Sequence, residues 1–472
     1  MGAQSMSVEQ EATSIAGQNL ANVDNPAYAD EQLQMQEAES IQTTVGQQGT
    51  GVEAVSINSL RDALLDAQVA AEGSTTGSLT AQQSALQQAS AYLDEELSNS
   101  SSSTGAASSA NGLTADMANL FSSLQTLSTD PSNVSDQQAV VQSAQQLTDQ
   151  FNQVSEGLAT VNSNLNTAVQ TGVNAANQDL SQIATLNQQI IDAEGRGTTA
   201  DQLVDEREQA IENLSGYVNI TTSPQTNGAV NVSIGGVTMV SNGATPDSLT
   251  TVTGSNGQTY VQAQNAGAFF QPLTGGSIEG SIEARDGALA ALSGSLDSLA
   301  SEFSTQFNAA YENGFSTSGA TGQAFFTSSD GAGSINAGNI SVNPTLSGDP
   351  TTFQGASAPN APGDNTVVLA LANLSTQTIT DPVTGFSGQS LSQYYSATVG
   401  SFGSSLQSAN EQLANSNSVS QMLTQQRAAA SGVDTDTEMT NLMQFQKAYE
   451  ASAELVTTIN QMLETVVGMK SS

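Results

Sequence analysis

The chain has 472 residues, 45 of them acidic and seven basic, for a formal charge of −38 at pH 7. That length has room for about two to four domains, and so few and scattered cations cannot build a phosphate-contacting face, which excludes nucleic acid and anionic membrane surfaces as partners. Cys and His are absent, which removes disulfides, thiolate and imidazole metal ligands and the commonest general base together.

Residues 5 to 23 are rich in helix formers, with Met6, Val8, Ala12, Ile15 and Leu20 as the apolar positions. The run Asn19-Leu20-Ala21-Asn22-Val23-Asp24-Asn25-Pro26-Ala27-Tyr28 then predicts a helix end and a turn, because Pro26 pushes Asn25 out of the helical region. From 31 to 60 weak alternation around Gly46, Gly49 and Gly51 predicts short strands or an extended arm. Helix is expected from about Ser59, interrupted by a Ser-rich stretch from Ser98 to Ser109 that reads as a loop.

Leu113, Met117, Leu120, Leu124 and Leu127 form one apolar stripe. Val140, Ala144, Leu147, Phe151, Val154, Leu158, Val161 and Leu165 form another, with steps of four and three that predict a long helix continuing past Gly172. A short helix over Leu203 to Leu214 precedes a change of period to two. Tyr217 to Ile220, Ala229 to Ile234, Val237 to Val240 and Tyr260 to Gln264 are expected as strands, separated by Asn-Gly and Gly-Gly turns. Helix returns from Ile282 to Asn313 and again from Leu391 to Arg427, around a Gly/Pro/Ser-rich segment of loop and some strand.

The last stretch is the most regular. From Leu442 apolar or small residues recur through Phe445, Tyr449, Ser452, Val456, Ile459, Leu463 and Val466, a seam with a period of about 3.5 residues that asks for a partner helix. Thr435 and Glu438 fit a capping box at its start. The helix stays apolar to its end, so it must pair with the beginning of the chain or with another molecule.

The expected fold is therefore mainly α: a long helical bundle or coiled coil built from both chain ends, with a small β-rich insertion. By residue number, 1–58 is an N-terminal helix and arm pairing with a C-terminal helix at 431–472. A helical bundle occupies 59–215 and is completed by 276–325 and 385–430, a small β domain occupies 216–275, and an irregular insert occupies 326–384.

No motif that carries chemistry is complete in the sequence. Asp434-x-Asp436-x-Glu438 opens like a calcium loop, but Met439 stands where Gly is needed and Phe445 where the bidentate Glu is needed. No phosphate loop or dinucleotide turn occurs, and a carboxylate pair for glycoside hydrolysis would lack its usual aromatic platform in a chain without Trp. No catalytic residue, cofactor or metal is expected. No run of about 18 apolar residues is present, so no membrane insertion is expected, and the start of the chain has no basic, apolar pattern of a cleaved signal.

The wording of the two ends carries a resemblance. Ser431-Gly432-Val433-Asp434, Glu438 to Leu442, and Phe445-Gln446-Lys447-Ala448-Tyr449 resemble the C-terminal motif of the bacterial flagellar rod, hook and hook-associated proteins, and within that group the hook-associated protein 1 family. Asn19, Leu20, Ala21 and Asn22, with Pro26 and Tyr28, are similar to the N-terminal motif of the same group. Ala27 stands where Gly is usual and Asp30 where Arg is usual, and the first helix looks shorter than the family's. Gln202 to Glu208 looks like a degenerate copy of the family segment Leu-Leu-Asp-Gln-Arg-Asp.

The resemblance implies a structural protein at the junction of flagellar hook and filament, extracellular, exported by the flagellar type III system without a cleaved signal. It implies self-association in a ring, contact with hook protein and with a second hook-associated protein, and a cytosolic export chaperone on the C-terminal helix. The assembly residues it implies are Ser431, Gly432, Val433, Leu442, Phe445, Gln446, Tyr449, Val456, Ile459, Leu463 and Val466, together with the six N-terminal positions. The alternatives are another axial subunit of hook or distal rod, or an acidic secreted adhesin.

Overall fold

A computed structural model describes residues 2–44, 46–93, 112–267, 273–331 and 333–470. In chain order the elements begin with α1 (Gly2–Ala21), followed by an arm made of β1 (Glu31–Glu37), β2 (Ile41–Thr43), β3 (Gly46–Gln48) and β4 (Val52–Ser59). Helices α2 (Ala63–Leu93), α3 (Leu113–Leu127), α4 (Val134–Glu194) and α5 (Asp201–Tyr217) come next. The β region holds β5 (Thr221–Pro224), β6 (Val230–Ile234), β7 (Val237–Val240), β8 (Leu249–Thr253) and β9 (Thr259–Ala263). After it come α6 (Gly276–Ala284), a π turn at Arg285–Leu289, α7 (Ala290–Tyr311), β10 (Phe326–Ser328), β11 (Ile340–Val342), α8 (Pro344–Gly348), α9 (Thr366–Asn373), β12 (Ile379–Asp381) and β13 (Phe386–Gln389). The chain closes with α10 (Leu391–Ser431) and α11 (Thr435–Lys470).

The fold is mainly helical, its two terminal helices touch, and its strands form small separate antiparallel sheets. The uninterrupted stripe from Val140 onward does make one helix, 61 residues long. The expected loop at Ser98 to Ser109 lies outside the described residues. Three expectations are corrected. Thr221–Pro224 is the first strand of the β region rather than Tyr217 to Ile220, β8 was not foreseen, and helix resumes at Gly276 rather than Ile282.

Two compact units divide the chain. One comprises residues 79–170 and 280–413. Its core takes Leu113, Met117, Leu120 and Leu124 from α3, Leu147, Phe151 and Val154 from α4, and Leu296, Leu299, Phe303 and Phe307 from α7. These are the positions of the 3-4 stripes, so each helix turns one face inward and leaves its Ser/Gln/Asn face to water. An aromatic cluster closes the core. Phe303 lies 5.2 Å from Phe326, Phe307 lies 4.7 Å from Phe325, and Tyr311 lies 5.4 Å from Phe353, ring centre to ring centre. At the π turn the wholly buried Arg285 side chain pairs with Asp286 at 2.7 Å and donates to Asn166 Oδ1 at 2.8 Å.

The other unit comprises residues 1–78, 171–279 and 414–472. Here β5, β6 and β7 form a three-stranded antiparallel sheet, and β8 and β9 a separate hairpin. Side-chain amides of α4 dock both. Asn187, wholly buried, donates to Val230 O at 2.7 Å and Asn242 O at 2.8 Å and accepts from Val230 N at 3.0 Å. Asn177 exchanges two hydrogen bonds with the Leu249 backbone, at 2.8 and 2.9 Å. An amide suits this role because it carries both a donor and an acceptor, as a strand partner does.

Candidate functional site

Helix α1 lies along the first half of α11. Val8, Ala12, Ile15 and Ala16 of α1 are buried. Leu442, Phe445, Ser452 and Val456 of α11 are half-buried, and Ser452 Oγ donates to Glu9 Oε1 at 3.2 Å. Gly2 sits level with Val456, since a Cβ at Gly2 would come within 2.6 Å of a Val456 methyl.

Beyond that point α11 runs on without α1. Residues 457–470 extend for roughly 21 Å at 1.5 Å per residue. There Ile459 is 42 % exposed, Leu463 56 % and Val466 63 %, while Tyr449, on the paired half, is 41 % exposed. The structure thus brings Leu442, Phe445 and Val456 into the helix pair and leaves Tyr449, Ile459, Leu463 and Val466 open to solvent. Gln446 is exposed as well.

The two sequence motifs meet at a polar joint centred on Asn19, which is 1 % exposed. Its Nδ2 donates to Asp30 Oδ1 at 2.6 Å, Glu31 O at 2.9 Å and Glu438 Oε2 at 3.1 Å. Its Oδ1 accepts from the Tyr28 hydroxyl at 2.7 Å and from Glu31 N at 3.2 Å. Every polar atom of the amide is used, as a buried amide requires. Asn22 ties the turn by donating to Gln18 O at 3.0 Å, while Ala21 and Pro26 are exposed and Leu20 half-buried.

From the other end of the chain, buried Ser431 accepts from Asp30 N at its carbonyl, 2.8 Å, and from Asp62 N at its hydroxyl, 3.2 Å. Gly432 has no room for a side chain, because a Cβ there would collide with the Ala428 carbonyl. Val433 lines a cavity of about 110 Å³ together with Asn22, Pro26 and Tyr28. The expected capping box is corrected. Asp434 caps α11, its Oδ1 accepting from Asp436 N at 2.9 Å and Thr437 N at 3.0 Å. Glu438 is drawn instead to Asn19 and to Asn441, which donates at 2.8 Å.

Arg61 and Arg427 bring cations to the joint, both beside Asp66, and Arg61 makes the most contacts. It donates to Ala27 O and Asp205 Oδ1, both at 2.6 Å, and to Asp66 Oδ2 at 2.8 Å. Asp205 and Arg207 of the Gln202 to Glu208 segment therefore serve two neighbours: Asp205 holds Arg61, and Arg207 donates to Gly228 O at 2.7 Å in the β region. Acidity dominates around them. Burial, then Asp201, Asp205 and Asp30, raise the Glu31 carboxyl to about 7. Burial raises Asp205 to about 6 against the pull of Arg61, and raises Asp30 and the Tyr28 hydroxyl as well. Sequence reasoning missed Glu31, Arg61 and the hub role of Glu438. Only the rarity of cations marked Arg61, and nothing local marked the others.

Residues 99–326 match the family model "Flagellar hook-associated protein FlgK helical domain", and residues 424–469 match "Flagellar basal body rod FlgEFG protein C-terminal". Flagellar hook-associated protein 1 of Bacillus subtilis is 29% identical in an alignment spanning 98% of this chain and 96% of that protein. The chain belongs to the flagellar hook-associated protein 1 family. Members of this family are structural axial proteins of the flagellum at the hook-filament junction, and so is this chain.

The Escherichia coli family member is 26% identical over 68% of this chain and 58% of its own length. The flagellar hook junction protein FlgK from Burkholderia pseudomallei has the same fold, with a TM-score of 0.65 and 16% identity, over 76% of this chain and 99% of that one. Among the described residues no helix is long and apolar enough to cross a membrane, and no group of three or more acidic residues is arranged to hold a metal ion.

Proposed function

We propose that this chain assembles into a ring at the junction through its terminal helices, after export through the flagellar type III system without a cleaved signal. Its neighbours are further copies, hook protein on one side and a second hook-associated protein on the other, and a cytosolic chaperone covers α11 before export. Assembly is extracellular and needs neither cofactor nor catalysis.

The observation that carries the reading is the free half of α11. Ile459, Leu463 and Val466 continue the stripe that α1 covers further back, yet they stand 42 to 63 % exposed. Burying apolar surface stabilises by roughly 25 cal/mol per Å², so a neighbour's helix laid on this stripe supplies the association energy. The motif residues from Ser431 to Val433 and from Asn19 to Tyr28 then hold the pair of helices in register for that contact.

The test is made in cells. Leu463→Asp and Val466→Asp should still be secreted yet fail to retain filaments on hooks, whereas Lys447→Ala, at a side chain 78 % exposed, should swim. Normal filaments with the Leu463→Asp protein present at the junction would show that this stripe is not the assembly surface.

A further inference from the structure

Beside the joint lies a cleft of about 440 Å³ whose wall includes Tyr28, Glu31, Asp205, Gln18, Gln182 and Gln209. Glu31 is 7 % exposed, and among the described residues its carboxylate accepts no hydrogen bond and pairs with no cation. Asp205, 6 % exposed, spends one oxygen on Arg61 and adds its charge to the same wall. A carboxylate buried to this degree is ordinarily paired, since its desolvation is costly. Among the described residues nothing meets it. Arg61, Arg207, Arg285, Arg427 and Lys447 are each engaged in an ion pair.

We infer that this cleft receives the guanidinium of an arginine presented by a neighbouring protein subunit, with Glu31 as its carboxylate partner. The charge of the wall calls for a cation. Its chemistry selects among cations: no group of three or more acidic residues among those described is placed to hold a metal ion, whereas Gln18, Gln182 and Gln209, each with a side-chain amide, line the same cleft as the carboxylate. A guanidinium has five N–H donors in one plane, which can bond a carboxylate and neighbouring carbonyls at once. An ammonium or a hydrated metal ion offers no such fork. Arg196, the remaining described arginine, does not line the cleft, so the guanidinium is assigned to another subunit; the inference rests on the reading that this chain assembles with further subunits, although the binding chemistry can be tested without assembly.

The experiment follows the Glu31 carboxyl carbon by NMR in the full-length protein, with Glu31→Gln identifying the signal. Its titration midpoint near 7 should fall by about one to three units when N-acetyl-arginine amide is added, as for a carboxylate given an opposite charge. N-acetyl-citrulline amide, which has the same shape without the charge, and sodium chloride at matched ionic strength should leave it in place. A midpoint that the arginine amide moves no more than sodium chloride does overturns the inference. So does one moved by calcium chloride and not by the arginine amide, which would make the cleft a metal site. In cells Glu31→Gln should weaken filament retention while Leu463→Asp abolishes it. Normal retention in Glu31→Gln cells alone would overturn the cleft's role and leave the assembly stripe standing.

Discussion

The Asn19 side chain donates to Glu438 across 3.1 Å, although 419 positions of chain separate the two. One amide at the end of the first helix thereby closes the whole chain onto the first turn of the last helix. Replacing it should release both ends together. Asn19→Ala leaves the Tyr28 hydroxyl, Asp30 and Glu438 without their shared partner, and a buried polar group left unsatisfied costs about 1–3 kcal/mol. Amide exchange in α1 and in the first turns of α11 should speed up by roughly tenfold or more, while residues 280–311 keep their protection. Uniform loss of protection throughout the chain would count against a local joint.

The joint should loosen as pH rises. Glu31 goes from an ordinary 4.5 to about 7 in the folded chain, and Asp205 from 3.8 to about 6. The folded state therefore holds protons that the unfolded state has released, and the stability they contribute is complete below the ordinary values and lost as pH climbs through 6 and 7. The groups around Glu31 are Asp30 and Glu438 at the joint, Asp201, Asp205 and Glu206 on α5, and Arg61. Exchange protection of the arm and α1 should fall about tenfold or more between pH 5 and pH 8. Glu31→Gln should flatten that dependence and raise protection at pH 8. An unchanged slope in the variant would place the titrating group elsewhere.

Two truncations should separate folding from assembly. Phe303 is wholly buried among aromatic rings, and Phe303→Ala should destabilise the purified protein by about 3–5 kcal/mol. Leu463, 56 % exposed, should change stability by no more than about 0.5 kcal/mol when cut to Ala. Thermal unfolding of the monomer measures both. A large loss from Leu463→Ala would mean that the stripe is already covered within one chain.

Asn187→Leu should detach the small β sheet. It strips Val230 of both backbone partners and removes the acceptor that Arg207 contacts at 3.3 Å. Faster exchange confined to β6 and β7, with α3 and α7 unaffected, is the expected pattern. Protection unchanged in β6 would show that strand pairing alone holds the sheet.

How much of this was legible in the sequence depends on how far away each residue's partner lies. The 3-4 stripes of α4, α7 and α11 could be read directly, because helical periodicity is written within a few turns and the same spacing that forms the helix selects its buried face. The pairing of the chain ends was legible through the wording of two motifs. The joint itself was not. Thr435 and Glu438 have the spacing of a capping box, but Asp434 takes the cap and Asn19 takes the carboxylate. β8 escaped because only Leu249 and Val252 of its five residues are apolar and they stand three apart, so no period of two marks it, and its docking depends on Asn177, 72 positions away. Local pattern decided which segments became helices and which faces turned inward. Tertiary structure decided which polar groups were buried together, because a buried amide or carboxylate is satisfied by whichever group folding brings near it, and chain spacing does not record that.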